Sequence, residues 1–234
     1  MVRIAKTLIS LALILYCKTL SAQIVVAVID TGIDPAIPNL CKVGHKSFTT
    51  NSSDPLQDNV GHGTHLAGLI TSIAGAGDYC ILSIKYSNTS KSSSENAYDL
   101  VKAIQYAVSM DVNFINISGG GIGPSTPERI AIEDALNKHI VVVTAAGNEG
   151  MDLDKGCIYY PACYDKRIIV VGNLRDSSSS ERYPTSNYGV RVNRWEVGHH
   201  VKSNLPGGRI GYMGGTSQAA AIATGKLLLE TLNK

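Results

Sequence analysis

Three residues suited to acyl transfer lie beside predicted secondary-structure elements. Asp30 follows the apolar run 24–29, His62 lies between two glycines, and Ser217 follows Gly214-Gly215-Thr216. In acyl transfer a carboxylate orients a histidine, the histidine accepts a proton, and a hydroxyl attacks the carbonyl carbon. The three residues therefore predict a catalytic triad, with Asp30 as the orienting carboxylate, His62 as the base and Ser217 as the nucleophile.

Each of these residues also has a plainer interpretation. Ser217 could cap the helix predicted over 219–232, because serine is a preferred N-cap residue. His62 could be a surface histidine in a turn, and Asp30 could cap amides at the end of its strand. His62 and His65 could bind a metal ion, but the sequence offers no obvious third ligand. Because the three residue types that one reaction requires occur together, catalysis is the favoured interpretation.

An acyl-transfer site also needs hydrogen-bond donors for the oxyanion of its tetrahedral intermediate. Asn148 lies in the glycine-containing segment 144–150, after the apolar run 140–144. Its carboxamide could donate alongside the amide of Ser217, so Asn148 is the predicted oxyanion-hole residue. Alternatively, Asn148 is a turn residue, because asparagine tolerates left-handed backbone geometry.

Apolar runs alternate with helix-forming segments along the chain. Runs rich in β-branched residues predict buried strands at 24–29, 80–85, 112–117, 140–144 and 167–171. The intervening segments predict helices at 62–73, 95–110, 126–139 and from 217 onward, and a loop over 119–127. This alternation predicts a three-layer α/β/α fold in which helices cover both faces of a mostly parallel sheet. Ligands in such folds bind at the carboxyl ends of strands.

Four motifs in the chain resemble those of the subtilisin-like serine proteases, or subtilases. They are the aspartate motif Val28–Ile33, the histidine motif Gly61–His65, the oxyanion-hole motif Ala146–Asn148 and the serine motif Gly215–Ser217. The order Asp, His, Ser is also that of subtilisin. The resemblance covers nearly all of residues 24–232. It implies a subtilisin-like fold and a secreted serine endopeptidase that forms an acyl-enzyme intermediate.

The resemblance also implies where a peptide substrate would bind. Segment 113–120 resembles the strand that pairs with an extended substrate and lines the first specificity pocket. The implied substrate-binding residues are Ser118, Gly119 and Gly120 on this wall, Ala145 and Gly147 on another wall, and Tyr159 at the floor. Family members often have a small residue at the floor. The tyrosine therefore predicts a shallow pocket that prefers a small residue before the cut.

The chain departs from the family pattern near the predicted nucleophile. Ala221 replaces the usual proline, and Gln218 replaces the usual methionine. These differences leave open an alternative function, that of a catalytically degenerate subtilase that binds extended peptides. A nucleotide-dependent enzyme is a further alternative, because Ser118-Gly119-Gly120-Gly121 is glycine-rich. Pro124, however, stands where a dinucleotide-binding motif needs glycine.

We expect no cofactor. The long calcium-binding loop of many family members is missing between Ile73 and Cys80. The resemblance therefore allows a weak calcium site at most, and the sequence does not assign one.

The N-terminus predicts a secretory signal peptide, because basic Arg3 and Lys6 precede the short apolar run 8–16. An uncleaved membrane anchor is disfavoured because this run is too short to span a bilayer. We therefore divide the chain into a signal peptide, 1–22, and a minimal subtilase catalytic domain, 23–234, of a secreted or periplasmic protein. Removing the signal leaves 18 basic and 19 acidic residues. This balance indicates neither a nucleic-acid nor a membrane partner. We expect a monomer, and the implied endopeptidase activity predicts protein or peptide substrates.

Four cysteines lie outside the predicted signal peptide, namely Cys41, Cys80, Cys157 and Cys163. An even number in an exported chain predicts two disulfides. The spacing favours a small loop closed by Cys157 and Cys163, which leaves Cys41 to pair with Cys80. The sequence alone permits three pairings.

Overall fold

The computed structural model describes residues 23–49, 53–87, 93–178 and 180–234. The predicted signal peptide at 1–22 lies outside these ranges. In chain order the strands are β1 (Ile24–Asp30), β2 (Lys46–Ser47), β3 (Tyr79–Lys85), β4 (Phe114–Ile117), β5 (Gly121–Ile122), β6 (Val141–Ala145), β7 (Tyr159–Tyr160), β8 (Ile169–Asn173), β9 (Arg194–Glu196), β10 (Val201–Leu205) and β11 (Arg209–Met213). The helices are α1 (His62–Ala74), α2 (Ser93–Ser109), α3 (Thr126–Asn137) and α4 (Thr216–Leu232).

Seven of these strands form a central sheet in the order β2-β3-β1-β4-β6-β8-β9. Every neighbouring pair in this sheet is parallel. The strand order reverses at β1, because β3 pairs with one side of β1 and β4, which comes later in the chain, pairs with the other side. Parallel α/β sheets bind ligands in the crevice that such a reversal leaves at the carboxyl ends of the strands. Asp30 ends β1 and Ser118 follows β4, so both lie at this crevice.

Helices cover both faces of the central sheet. Val28 of β1 packs in one buried cluster with Leu66 of α1 and Leu228 of α4. The next residue, Ile29, packs in another cluster with Ile104 of α2 and with residues of α3. Successive side chains of a strand point to opposite faces, so a continuous apolar run can fill two cores at once. The predicted three-layer α/β/α fold is confirmed.

Differences from the predicted elements lie mainly at short strands and strand ends. The predicted loop 119–127 contains β5, which pairs with β7 in a two-stranded antiparallel sheet. The strand predicted at 167–171 begins only at Ile169, because Arg167 forms a turn in which its amide and guanidinium donate to Asp165. The hairpin of β10 and β11 lies in a segment without a β-branched apolar run, and the sequence did not predict it.

The structure joins Cys41 to Cys80 and Cys157 to Cys163, which is the pairing that the spacing favours. The first bond ties the segment after β1 to β3, and the second closes a loop around β7. In the described part of the chain, no helix combines the length and the apolar character needed to cross a membrane.

Candidate active site

Asp30 and His62 form a hydrogen-bonded pair at the crevice. His62 Nδ1 lies 2.8 Å from Asp30 Oδ1, and the Thr31 amide donates to the same oxygen at 2.8 Å. A carboxylate oxygen only accepts, so the imidazole proton resides on Nδ1 and Nε2 is left free to accept another proton. The negative charge of Asp30 raises the pKa of His62 above its usual 6.5, and desolvation of the imidazole offsets part of this rise.

Asp58 fixes the segment that carries this pair, and sequence reasoning missed it. Its buried carboxylate accepts five hydrogen bonds, from the Thr31 hydroxyl, the amides of Val60 and Gly61, and both the amide and hydroxyl of Thr64. The end of β1 and the first turn of α1 are therefore held by one side chain. Its position four residues before the first residue of a predicted helix was the available signal, because carboxylates commonly satisfy the free amides there.

Ser217 is the second residue of α4, and it does not cap that helix. The cap residue is Gly215, which makes no side-chain capping bond. The Ser217 hydroxyl instead donates to the carbonyl oxygen of Ser118 at 2.8 Å, and the Ser118 hydroxyl donates to the Ser217 carbonyl at 3.1 Å. Among the described hydrogen bonds, none joins Ser217 to His62. The structure therefore links Ser217 directly to the end of β4, while α4 packs against α1, the helix that begins with His62.

Asn148 lies against the first turn of the same helix. Its Oδ1 accepts from the Thr216 amide at 2.9 Å and from the Thr216 hydroxyl at 3.2 Å. A backbone amide can only donate, so the oxygen of the carboxamide must face Thr216 and the exposed Nδ2 group remains able to donate. The Ser217 amide also has no hydrogen-bond partner among the described residues. Two unpaired donors beside a serine hydroxyl suit an oxyanion.

The ring of Tyr159 lies between Gly120 and Gly147. A Cβ added to Gly120 would stand 2.7 Å from one edge of the ring, and a Cβ added to Gly147 would stand 2.8 Å from the other edge. Gly147 also has a φ of 100°, so a side chain there would be strained as well as obstructed. Burial and the charge of Glu149 raise the pKa of Tyr159 to about 12. The ring is buried and neutral, and it fills the gap between the two glycine walls.

The remaining predicted site residues differ in where their side chains lie. Ser118 contacts Ser217 as described, and Gly119 borders the hydroxyl of Tyr86. The Ala145 side chain belongs to a buried cluster with residues of α4.

His65 does not form a metal site with His62. It is buried, and its Nε2 donates to the backbone carbonyl of Val201 at 3.1 Å. Within residues 23–49, 53–87, 93–178 and 180–234, no three His, Cys, Asp or Glu side chains are grouped to hold a metal ion.

The fold and the site define an α/β protein with a carboxylate–histidine pair at one strand end and a serine at a nearby helix N-terminus. The model of the subtilase family matches residues 21–231. The chain therefore belongs to the subtilase family, and the resemblance noted in its motifs is confirmed.

Individual relatives agree with this assignment. Subtilisin amylosacchariticus of Bacillus subtilis subsp. amylosacchariticus is 35% identical over 213 residues, which cover 89% of this chain and 55% of that protein. The major intracellular serine protease of Bacillus subtilis (strain 168) is 34% identical over 221 residues, which cover 88% of this chain and 68% of that protein. The crystal structure of a cold-adapted subtilisin-like serine proteinase aligns with a TM-score of 0.75 at 26% identity, over 90% of this chain and 76% of that one. The chain thus spans about half the length of relatives such as the first.

The Asp30–His62 pair predicts a titration that can be observed directly. We expect NMR titration to give His62 a pKa above 6.5 in the native protein. In Asp30→Asn the pKa should fall, because the neighbouring negative charge is gone while the desolvation remains. The matched control is Asp54→Asn, which removes an exposed carboxylate from the loop before α1. It should leave the pKa of His62 unchanged. A pKa that does not respond to Asp30→Asn would contradict the pairing.

The five bonds to Asp58 predict a structural role that a carboxamide cannot fill. In Asp58→Asn the NH2 group replaces an acceptor, so at least one buried donor of Thr31, Gly61 or Thr64 loses its partner. We expect the free energy of unfolding to fall by about 1–3 kcal/mol in urea denaturation. Asp54→Asn should change it by less than about 0.5 kcal/mol. Equal stabilities of the two variants would show that Asp58 does not hold the segment.

Proposed function

We propose that this chain is a serine endopeptidase that hydrolyses peptide bonds through Asp30, His62 and Ser217. The observation that carries the proposal is the 2.8 Å hydrogen bond between Asp30 and His62 Nδ1 in a subtilase-family chain. That bond leaves Nε2 as the basic atom of the imidazole. The proposed reaction uses groups of this chain and water, and the proposal includes no cofactor.

In the proposed reaction, Ser217 Oγ attacks the carbonyl carbon of the scissile bond as His62 Nε2 takes its proton. The resulting oxyanion accepts hydrogen bonds from Asn148 Nδ2 and from the Ser217 amide. His62 then returns the proton to the leaving amine as the C–N bond breaks, which leaves an ester on Ser217. Water, deprotonated by His62, hydrolyses the ester and regenerates the hydroxyl. Asp30 stabilises the imidazolium in both steps.

The bond from Ser217 to the Ser118 carbonyl must break before attack. A single neutral hydrogen bond contributes about 0.5–1.5 kcal/mol net, so rotation of the hydroxyl towards His62 costs little compared with the reaction barrier. Catalytic hydrogen bonds are often absent or long in a free enzyme and form when substrate binds. The bond from Ser217 to Ser118 therefore does not oppose the proposed role.

We also propose that the protein is exported. The predicted signal peptide at 1–22 supports this location, and so do the two disulfides, because disulfides persist mainly in oxidising compartments. A relative named as intracellular exists in the family, so the family alone does not decide the compartment. Protein or peptide substrates follow from endopeptidase activity.

A subtilase that binds peptides without cleaving them is the second candidate. It is favoured by the Ser217 hydroxyl bonding to Ser118 instead of His62. The departures from the family pattern at Gln218 and Ala221 also point to it, although both side chains are buried and α4 still begins at Thr216. The two candidates differ in whether the serine reacts.

Casein cleavage and fluorophosphonate labelling of the native protein distinguish them, with Ser217→Ala as the variant that lacks the nucleophile. We expect the native protein to degrade casein and to be labelled by a fluorophosphonate probe at Ser217. The variant should lose the labelling and about 10⁶-fold in kcat, because its nucleophile is missing. Ser177→Ala, an exposed serine, is the control and should retain both activities. A folded native protein that neither cleaves casein nor reacts with the probe would support the binding candidate.

The position of Tyr159 predicts a preference for a small residue before the cut. In Tyr159→Ala the gap between Gly120 and Gly147 opens, so peptides with leucine or phenylalanine at that position should gain at least about tenfold in kcat/KM relative to alanine. The cavity should also lower the free energy of unfolding by about 3–5 kcal/mol, so Tyr159→Val provides a milder truncation. Tyr98→Ala, at a side chain 65% exposed, is the control. Cleavage profiling of the native protein that favours large aromatic residues would refute the assignment.

A further inference from the structure

A cavity of about 480 Å³ opens beside Gly119 and Gly120, at the end of the segment 113–120 that by family resemblance pairs with an extended substrate. Glu128 of α3, Asn96 and Leu100 of α2, Tyr86 and residues 119–123 line it. We call it the Glu128 cavity. Its volume falls within the range of about 300–1,000 Å³ that is typical of ligand sites. It shares Gly120 with the gap that Tyr159 fills, but the Tyr159 side chain is not part of its lining.

Glu128 is a buried acid that the proposed reaction does not use. Glu128 is 6% exposed, and burial raises the pKa of its carboxyl group. One oxygen, Oε2, accepts from the Tyr164 hydroxyl at 2.8 Å. Among the described ion pairs none includes Glu128. A buried carboxylate without a cation is costly unless a partner arrives to neutralise it.

Helix capping does not account for Glu128. In a capping box the acid three residues after the cap accepts from the amide of the cap residue. Here the cap is Ser125, and its amide donates to the Tyr164 hydroxyl at 2.7 Å. The Ser125 hydroxyl does accept from the Glu128 amide, at 3.4 Å, but that bond needs only the backbone of Glu128. The carboxylate is therefore not required for the cap.

Asn96, another residue that lines the Glu128 cavity, carries an acceptor without a donor in the described part of the chain. Asn96 Oδ1 is buried and has no hydrogen-bond partner among the described residues. A buried carboxylate with one described donor and a buried amide oxygen with none, both on residues that line one cavity, favour a ligand that brings several donors. Ammonium and guanidinium groups carry three and five N–H donors, respectively, together with the charge that complements Glu128.

The rest of the cavity suits the stem of such a side chain. Leu100, Ile122 and Tyr160 supply apolar wall, and lysine and arginine pack their methylene chains on apolar surface. Gly119 lacks a side chain where a Cβ would collide with the Tyr86 hydroxyl, so the backbone runs directly along the cavity. An extended peptide that pairs with segment 118–120 would project alternate side chains to this side.

We propose that the Glu128 cavity is a subsite for a lysine or arginine side chain on the acyl side of the scissile bond, and that Glu128 recognises its charge. The inference rests on the proposed peptide-binding role of segment 118–120. Glu128 would then be a specificity-determining residue, remote from the reacting atoms. Substrates with a basic residue at this one upstream position would form the preferred class.

The test compares peptides that differ at one residue. Each fluorogenic peptide has alanine before the cut and one varied residue, at the second, third, fourth or fifth position upstream. The varied residue is lysine, arginine, glutamine or norleucine. At one position we expect lysine or arginine to exceed norleucine by at least about tenfold in kcat/KM, because a charge-assisted bond to a buried carboxylate is lost in norleucine. Glu128→Gln should reduce the ratio to below about threefold and leave cleavage of the norleucine peptide within about twofold.

Controls separate a local effect from a general one. Glu133→Gln makes the same chemical change on the same helix outside the cavity, and it should retain the native preference. Asn96→Leu removes the second acceptor and should weaken the preference without abolishing it. If Glu128→Gln fails to fold, as judged by thermal unfolding, Asn96→Leu still tests the cavity.

A binding measurement makes the outcome independent of hydrolysis. Fluorescence anisotropy with Ser217→Ala measures Kd for the same peptides. If no peptide is cleaved but the basic peptide binds selectively and Glu128→Gln removes the selectivity, the subsite stands and the proposed hydrolysis fails. If peptides are cleaved without a basic preference, or Glu128→Gln keeps the preference, the subsite is refuted while hydrolysis stands. Preference for glutamine over lysine would also refute it, and absence of both cleavage and selective binding would refute both proposals.

Discussion

The bond between Asp30 and His62 is the interaction on which the rest of the site depends. It joins the last residue of β1 to the first residue of α1, so any slip of the strand against the helix would break it. The sheet fixes β1 by parallel pairing on both sides, with β3 and β4. The helix start is fixed by Asp58, which also binds the residue after Asp30 through the Thr31 hydroxyl. Together these contacts hold the side chains of Asp30 and His62 in one relative position.

The serine side of the site depends on a different set of polar contacts. Thr224 of α4 donates to Asn116 of β4 at 2.9 Å, and Asn116 donates to the Ser118 hydroxyl at 3.0 Å. These buried bonds set the position of α4 along β4. Asn148 then binds the first turn of α4, and so the hydroxyl, the free amide of Ser217 and the carboxamide have fixed relative positions. Hydrogen bonding deep in the structure thus determines the geometry at the surface.

The sequence contained enough information for the fold but only part of the site. The runs at β1, β3 and β6 are apolar on both faces, which is characteristic of a buried parallel strand, and the predicted fold follows from them. The short strands β2 and β9 and the hairpin of β10 and β11 carry no such run. The position of Asp58 before a predicted helix indicates a capping carboxylate, but the full roles of Asp58 and Thr216 could not be predicted because they depend on contacts with residues 27 and 68 positions away in the chain. In the sequence, Glu128 is an acidic residue in the first turn of a predicted helix, a position that is usually exposed. Its burial follows from the packing of α2 and Tyr164 around it, which the sequence does not reveal.

The two disulfides crosslink separate parts of the chain, and this arrangement determines what a cut in the backbone would do to the site. Cys41–Cys80 lies in the part of the chain that contains Asp30 and His62, whereas Cys157–Cys163 lies in the part that contains Asn148 and Ser217. A single backbone cut between Cys80 and Asn148 would leave two fragments with no covalent link, one with Asp30 and His62 and the other with Asn148 and Ser217. A cut between Cys41 and Cys80 would instead leave the fragments tethered. Cuts in the central part of the chain would thus remove the covalent link between the carboxylate–histidine pair and the serine, while a nick inside either crosslinked loop would leave one covalent molecule.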